Sequence, residues 1–114
     1  MNHEKRPWGE FFILHETDNF KVKRIVVNSK QRISYQSHAK REEHWVVVAG
    51  HGYVTLNDEK IAVEKGNYVK IPVTCKHRIE CTSTEPLEFI EVQLGEYFGE
   101  DDIVRYQDDY RRKS

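Results

Sequence analysis

Cysteine and proline are scarce in this 114-residue chain, at two and three residues. No apolar run approaches the roughly 18 residues that a membrane-spanning helix requires. Two thiols, Cys75 and Cys81, are too few for a disulfide framework and read as reduced and partly buried. An excess of one charge is also missing: 18 Lys and Arg stand against 19 Asp and Glu, for a net charge of -1. A nucleic-acid or membrane-surface binder usually carries a basic surplus, so neither partner is expected. Met1 to Trp8 lacks the apolar core of a signal peptide, and a cytoplasmic location is the expectation. There is no internal repeat, linker or low-complexity segment, and the length suits one domain spanning residues 1–114.

What is present is a series of short runs rich in aromatic and β-branched residues. They cover Phe11 to Leu14, Phe20 to Val27, Ile33 to Gln36, Trp45 to Ala49, Tyr53 to Leu56, Ile61 to Val63, Tyr68 to Ile71, His77 to Cys81 and Leu87 to Val92. Turn signals separate them, including Ala49-Gly50-His51-Gly52, Asn57-Asp58-Glu59 and Ser83-Thr84-Glu85-Pro86. Short strands at about ten-residue spacing predict an all-β sandwich or barrel rather than alternating β/α units. One helix is expected, from about Glu100 to Tyr110. There Ile103, Val104, Tyr106 and Tyr110 would form a docking stripe behind the acidic Glu100, Asp101 and Asp102. The last residues, Arg111 to Ser114, read as a frayed tail.

One constellation carries chemistry. Gln36 and His38 are followed by Glu43, and His77 lies more than thirty residues further on. These are nitrogen and oxygen donors suited to Zn, Mn, Fe, Co or Ni. Side chains alternate along a strand, so Gln36 and His38 face the same way, and His77 shares its face with Ile79 and Cys81. Parity does not choose between Glu43 and His44, because Val46 and Val48 make the His44 face as apolar as the one bearing Trp45 and Val47. His3, His15 and His51 read as surface or hydrogen-bonding residues.

The spacing from Glu43 through six residues to Gly50, and from Gly66 through Pro72 to His77, resembles the two motifs of the cupin superfamily. A narrower similarity covers nearly the whole chain. Arg6-Pro7-Trp8-Gly9, Gln36-x-His38, Arg41-x-Glu43-His44-Trp45-Val46-Val47-Val48, Ile71-Pro72, Ile90-Glu91-Val92-Gln93 and Gly99-Glu100-Asp101-Asp102-Ile103-Val104-Arg105 resemble the type II mannose-6-phosphate isomerase domain. That domain usually ends bifunctional mannose-1-phosphate guanylyltransferase/mannose-6-phosphate isomerases. The chain departs from the pattern at Ser29-Lys30, where the family has Pro-Gly, and at Thr74, where it has Gly. Ala39 and Lys40 stand where it has two further histidines.

The resemblance implies a double-stranded β-helix, or jelly-roll barrel, and a divalent metal held by Gln36, His38, Glu43 and His77. It implies interconversion of mannose 6-phosphate and fructose 6-phosphate through an enediol, feeding GDP-mannose and polysaccharide synthesis. It also implies a homodimer, in which an Arg6–Gly9 strand would add to a neighbour's sheet. Guanylyl transfer is not expected, since no Gly-rich phosphate loop occurs. Glu91 and Lys40 are the candidates for proton transfer or polarisation of an oxygen, although each also reads as an outward or solvated residue. Arg41 and Arg105 are the preferred phosphate ligands because a guanidinium forks onto phosphate, with Lys23 or Arg24 as alternates. A salt bridge to Asp101 or Asp102 is the structural alternative for Arg105. The rival reading is a non-catalytic cupin that binds a sugar or nucleotide-sugar. A third reading keeps the metal but makes the protein another sugar isomerase or epimerase.

Overall fold

The computed structural model describes residues 2–99 and 101–110. Eleven strands are β1 (Asn2–Arg6), β2 (Gly9–Glu16), β3 (Phe20–Val27), β4 (Tyr35–Ser37), β5 (Arg41–Ala49), β6 (His51–Leu56), β7 (Glu59–Glu64), β8 (Tyr68–Ile71), β9 (His77–Cys81), β10 (Leu87–Gly95) and β11 (Val104–Gln107). They form a six-stranded sheet ordered β1-β2-β3-β10-β5-β8 and a five-stranded sheet ordered β11-β4-β9-β6-β7. Every pairing between named strands is antiparallel. The expected all-β double-stranded β-helix is therefore present.

Alternation builds the interior. In β5 the inward residues Arg41, Glu43, Trp45 and Val47 are buried, whereas Val46 and Val48 on the other face are exposed. Trp45, Val47, Val54, Ile71, Ile79, Leu87 and Phe89 fill the space between the sheets at near-zero exposure. Gly52 marks the closest approach of two strands: a Cβ there would lie 1.8 Å from the carbonyl oxygen of Glu80. Leu56 pairs with Glu59 around Asn57 and Asp58, whose φ values of 44° and 70° make the two-residue turn that favours a hairpin. The positions where the resemblance predicts glycine, Lys30 and Thr74, both adopt left-handed backbone, with φ of 66° and 65°.

Two expectations are corrected. No helix occurs over residues 101–110; Val104–Gln107 is β11, paired with β4. The apolar residues there follow the period of two rather than the helical one. Ile103 and Arg105 line the interior cavity, while Val104 and Tyr106 are exposed. The free edge of β4 offers backbone hydrogen bonds that a lone short helix would forgo. Glu100 and the expected frayed tail lie outside the described residues. The Arg6–Gly9 segment is not one continuous strand: Pro7 and Trp8 form a tight turn, and Arg6 pairs with Gly9 inside the β1–β2 hairpin.

Candidate functional site

His38, Glu43 and His77 converge from both sheets. Glu43 projects from β5 in the six-stranded sheet, His77 from β9 in the five-stranded sheet, and His38 follows β4 directly. One ligating atom from each lies within 4.8 Å of the others, and all three side chains are buried. A hydrogen bond from the Thr74 amide to the carbonyl of His38 (2.7 Å) ties the loop before His77 to the His38 segment. Gln36 sits opposite His77 in the β4–β9 register and lines the same cavity.

The structure resolves the ambiguity that strand parity left. Glu43 is 2 % exposed and faces the cavity. His44 points to the outer face, where it hydrogen-bonds with Tyr68 Oη (2.5 Å) and Glu42 Oε2 (2.6 Å).

A cation fits the donor set. His77 Nδ1 donates to the carbonyl of Cys75 (2.9 Å), which fixes the tautomer and leaves a lone pair on Nε2. That buried Nε2 makes no hydrogen bond and lies 3.8 Å from Glu43 Oε1. Burial pushes the His77 pKa down to about 4, so the ring is neutral at pH 7, as a metal ligand must be. Two imidazoles, a carboxylate and the nearby Gln36 form the nitrogen and oxygen set that first-row divalent ions accept.

Behind the cluster runs a network of buried polar groups. Trp45 Nε1 donates to Glu43 Oε1 (3.0 Å) and to Glu91 Oε2 (3.1 Å), placing one indole between two carboxylates. Gln93 Nε2 donates to Glu91 Oε1 (2.6 Å). Burial first, and the neighbouring Glu43 second, raise the Glu91 pKa to about 7. On the other side, Arg41 donates from Nε to Glu43 Oε2 (2.9 Å), and its Nη2 lies 2.9 Å from His38 Nε2. It also reaches the carbonyl of Phe98 (3.5 Å).

These groups open onto a cavity of about 110 Å³ between the sheets. Glu91, Lys23, Arg41 and Arg105 all line it, together with Gln36, His38 and Glu43. Lys23 is buried, with Nζ 4.3 Å from the Phe11 ring centroid, and it stands opposite Glu91 in the β3–β10 register. Arg24, its sequence neighbour, faces out and pairs with Glu88. Lys40 is not among the lining residues. It is exposed, with Nζ 5.1 Å from the Tyr97 ring centroid, and its amide binds Asp102 Oδ2 (2.9 Å). Sequence reasoning overlooked Arg6, Trp8 and Ser34 as lining residues and the bridging role of Trp45. The apolar alternation around Trp45 marks it as core, so only its partners reveal a polar role. Arg6 enters because the hairpin folds β1 back beside β2, a contact that no local pattern announces.

A double-layered antiparallel jelly roll with a His–Glu–His cluster between its sheets is a cupin. The mannose-6-phosphate isomerase C-terminal family matches residues 1–108, and the chain belongs to that family. It is 44% identical over 107 residues to the xanthan biosynthesis protein XanB of Xanthomonas campestris pv. campestris (strain B100), covering 94% of this chain and 23% of that protein. It is 41% identical, with the same coverages, to a mannose-1-phosphate guanylyltransferase of Klebsiella pneumoniae. The chain thus spans less than a quarter of the length of these relatives. Among solved structures, the cupin domain of Schizosaccharomyces pombe Cnp3 superposes with a TM-score of 0.73 at 13% identity, covering 75% of this chain and 64% of that one.

Proposed function

We propose that this cupin is a metal-dependent aldose–ketose isomerase interconverting mannose 6-phosphate and fructose 6-phosphate. The observation that carries the reading is the cavity that Glu91, a buried carboxylic acid with a pKa of about 7, lines together with His38 and Glu43 of the ligand cluster. Membership of the isomerase family and the polysaccharide-linked names of its relatives support it.

The reaction moves a proton between C2 and C1 of the sugar and needs an acid–base group on one face of the chain. Glu91 is that group. As a carboxylate it accepts the C2 proton, and as the acid it returns the proton to C1, while the hydroxyl proton passes from O2 to O1. A pKa near working pH lets it do both without a large penalty either way. Trp45 and Gln93 hold its two oxygens, so the carboxylate meets the sugar in one orientation. Gln36, His38, Glu43 and His77 would hold a divalent ion, which supplies Lewis-acid polarisation of the substrate carbonyl and its neighbouring hydroxyl. Arg41 anchors Glu43 from the side away from Trp45 and offsets the charge of the carboxylate. Aromatic and aliphatic side chains around the cavity exclude water from the enediol.

We place the activity in the cytoplasm, on the route to sugar nucleotides for polysaccharide synthesis. The working form is a homodimer, for which the exposed edge strand β1 is available. A monomeric mass by light scattering would remove the dimer.

The test is a coupled assay on mannose 6-phosphate after chelation, with single divalent ions added back. Turnover returns with at least one ion and is lost in His77→Ala along with bound metal. Glu91→Gln keeps its metal and loses about 10²–10⁴-fold in kcat. Tight metal binding without turnover under any ion would replace this reading with that of a non-catalytic sugar-binding cupin.

A further inference from the structure

The three ligand-bearing segments are not held equally by the sheets. Glu43 pairs on one side with Gln93 of β10 and on the other with Ile71 of β8. His77 pairs with Gln36 of β4 and with Leu56 of β6. His38 lies one residue past β4, a strand of three residues that meets β9 at a single pair. A working site needs its side chains fixed to within about 0.5 Å, so the turn that carries His38 requires support from elsewhere. That support comes from the Gly99–Arg105 string, which the proton-transfer chemistry leaves without a role. The β11–β4 pairing sets Val104 opposite Ser37, and the same register continued would bring Asp102 opposite Ala39. The ladder ends there, and the Asp102 side chain replaces it. Its Oδ1 accepts from the Ala39 amide (3.2 Å) and its Oδ2 from the Lys40 amide (2.9 Å). Two successive amides turned onto one carboxylate form a concave anion grip, and an ionised acceptor strengthens each bond. The Asp102 amide donates in turn to the Gly99 carbonyl (3.2 Å), and the Glu96 amide to the Lys40 carbonyl (3.4 Å).

We propose that Asp102 is a positioning residue: its carboxylate clasps the turn at Ala39 and Lys40 and thereby sets the His38 ring against Glu43 and His77. It acts through the backbone and is not itself a member of the ligand cluster. The same turn leads directly into β5, so one carboxylate governs the spacing between His38 and Glu43. The proposal rests on the metal-binding reading for the purpose of the cluster, but the placement of His38 is measurable in metal-free protein.

The experiment titrates the chelator-treated chain with cobalt(II), followed by the visible absorption of the bound ion, and records the histidine ring NMR signals of the metal-free protein. Thermal melts first fix a temperature at which every variant is fully folded, so that lost stability does not pass for lost affinity. Asp102→Ala weakens cobalt(II) binding about 10–100-fold. In the metal-free chain it shifts the His38 ring signals and leaves those of His77 in place. Asp102→Asn, which keeps one accepting oxygen, falls between Asp102→Ala and wild type. Asp101→Asn, at the exposed neighbour whose carboxylate holds Tyr97 instead, binds as wild type. Wild-type affinity in Asp102→Ala overturns the proposal, and so does an equal disturbance of His38 and His77, which marks a general loosening. If the wild-type chain takes up no divalent ion, the isomerase reading falls and the ring signals alone decide the clasp. A shift confined to His38 then upholds it, and unmoved signals overturn it.

Discussion

Replacing Trp45 with Phe tests the network that joins the ligand cluster to the proposed base. The substitution keeps an aromatic ring against Phe89, whose centroid lies 4.5 Å away, and removes the indole N–H held between Glu43 and Glu91. A hydrogen bond to a charged group contributes about 1.5–3 kcal/mol, and because one N–H serves both carboxylates it counts once. The lost ring volume adds a fraction of the roughly 3–5 kcal/mol seen for complete removal of a large aromatic side chain. The effect depends on pH, and its sign follows from Glu91. Its folded pKa of about 7 lies above the ordinary 4.5, so the stability it contributes is fully present below 4.5 and lost as pH rises through 7. Without the indole donor the ionised form is held less well, the pKa climbs further, and the loss deepens on the alkaline side. In chelator-treated protein, Trp45→Phe costs about 2 kcal/mol at pH 5 and about 3–4 kcal/mol at pH 8. For a domain of this size the second figure is roughly 12–16 °C in Tm. Thermal melts followed by circular dichroism measure both. Equal losses at the two pH values would refute the claim that the indole serves the carboxylates.

Two further outcomes follow from the backbone and the surface. Thr74 is a β-branched residue held at a φ of 65°, a conformation that costs an L-residue about 1–2 kcal/mol. Thr74→Gly returns most of that and forfeits some backbone entropy, for a net gain of about 0.5–1 kcal/mol and a Tm higher by roughly 2–4 °C. An unchanged or lower Tm contradicts the strain. Arg32 forks onto Asp109 (2.7 and 2.8 Å) and holds its carboxyl below the ordinary value of 3.8. Both side chains are more than a third exposed, so the pair contributes at most about 1 kcal/mol. That contribution is present above the ordinary value and lost as pH falls through the depressed pKa. Asp109→Asn therefore lowers Tm near neutral pH and matches wild type in strong acid; a gap that persists in acid rejects the ion pair as its cause.

The fold was legible because apolar alternation and turn residues act locally. Leu56-Asn57-Asp58-Glu59 specifies its hairpin within four residues, and β5 announces its inward face through Trp45 and Val47. The ligand spacing was equally open to reading, since two short segments carry it. What escaped depended on distant partners. Residues 101–107 satisfy a helical stripe and an alternating strand about equally, and the free edge of β4 decides between them. Glu43 and His44 were inseparable until β8 supplied Tyr68 on one side and the interior cavity lay on the other. Lys40 looked close to the chemistry in sequence, yet Asp102 and Tyr97 draw it outward. Arg6 looked like part of a terminal strand, yet the turn at Pro7–Trp8 returns it to the cavity.

The Thr74-to-His38 hydrogen bond fastens together two stretches that are more than thirty residues apart in the chain. It closes the gap between the end of β4 and the loop that leads into β9, the two places in the five-stranded sheet that supply His38 and His77. Because the donors come from both layers, the chain has no partial version of its site: any opening of the sandwich, wherever it begins, separates Glu43 from His77. An ion held there would read the closure of the whole barrel. A core substitution such as Ile79→Val could therefore change metal affinity without touching a ligand.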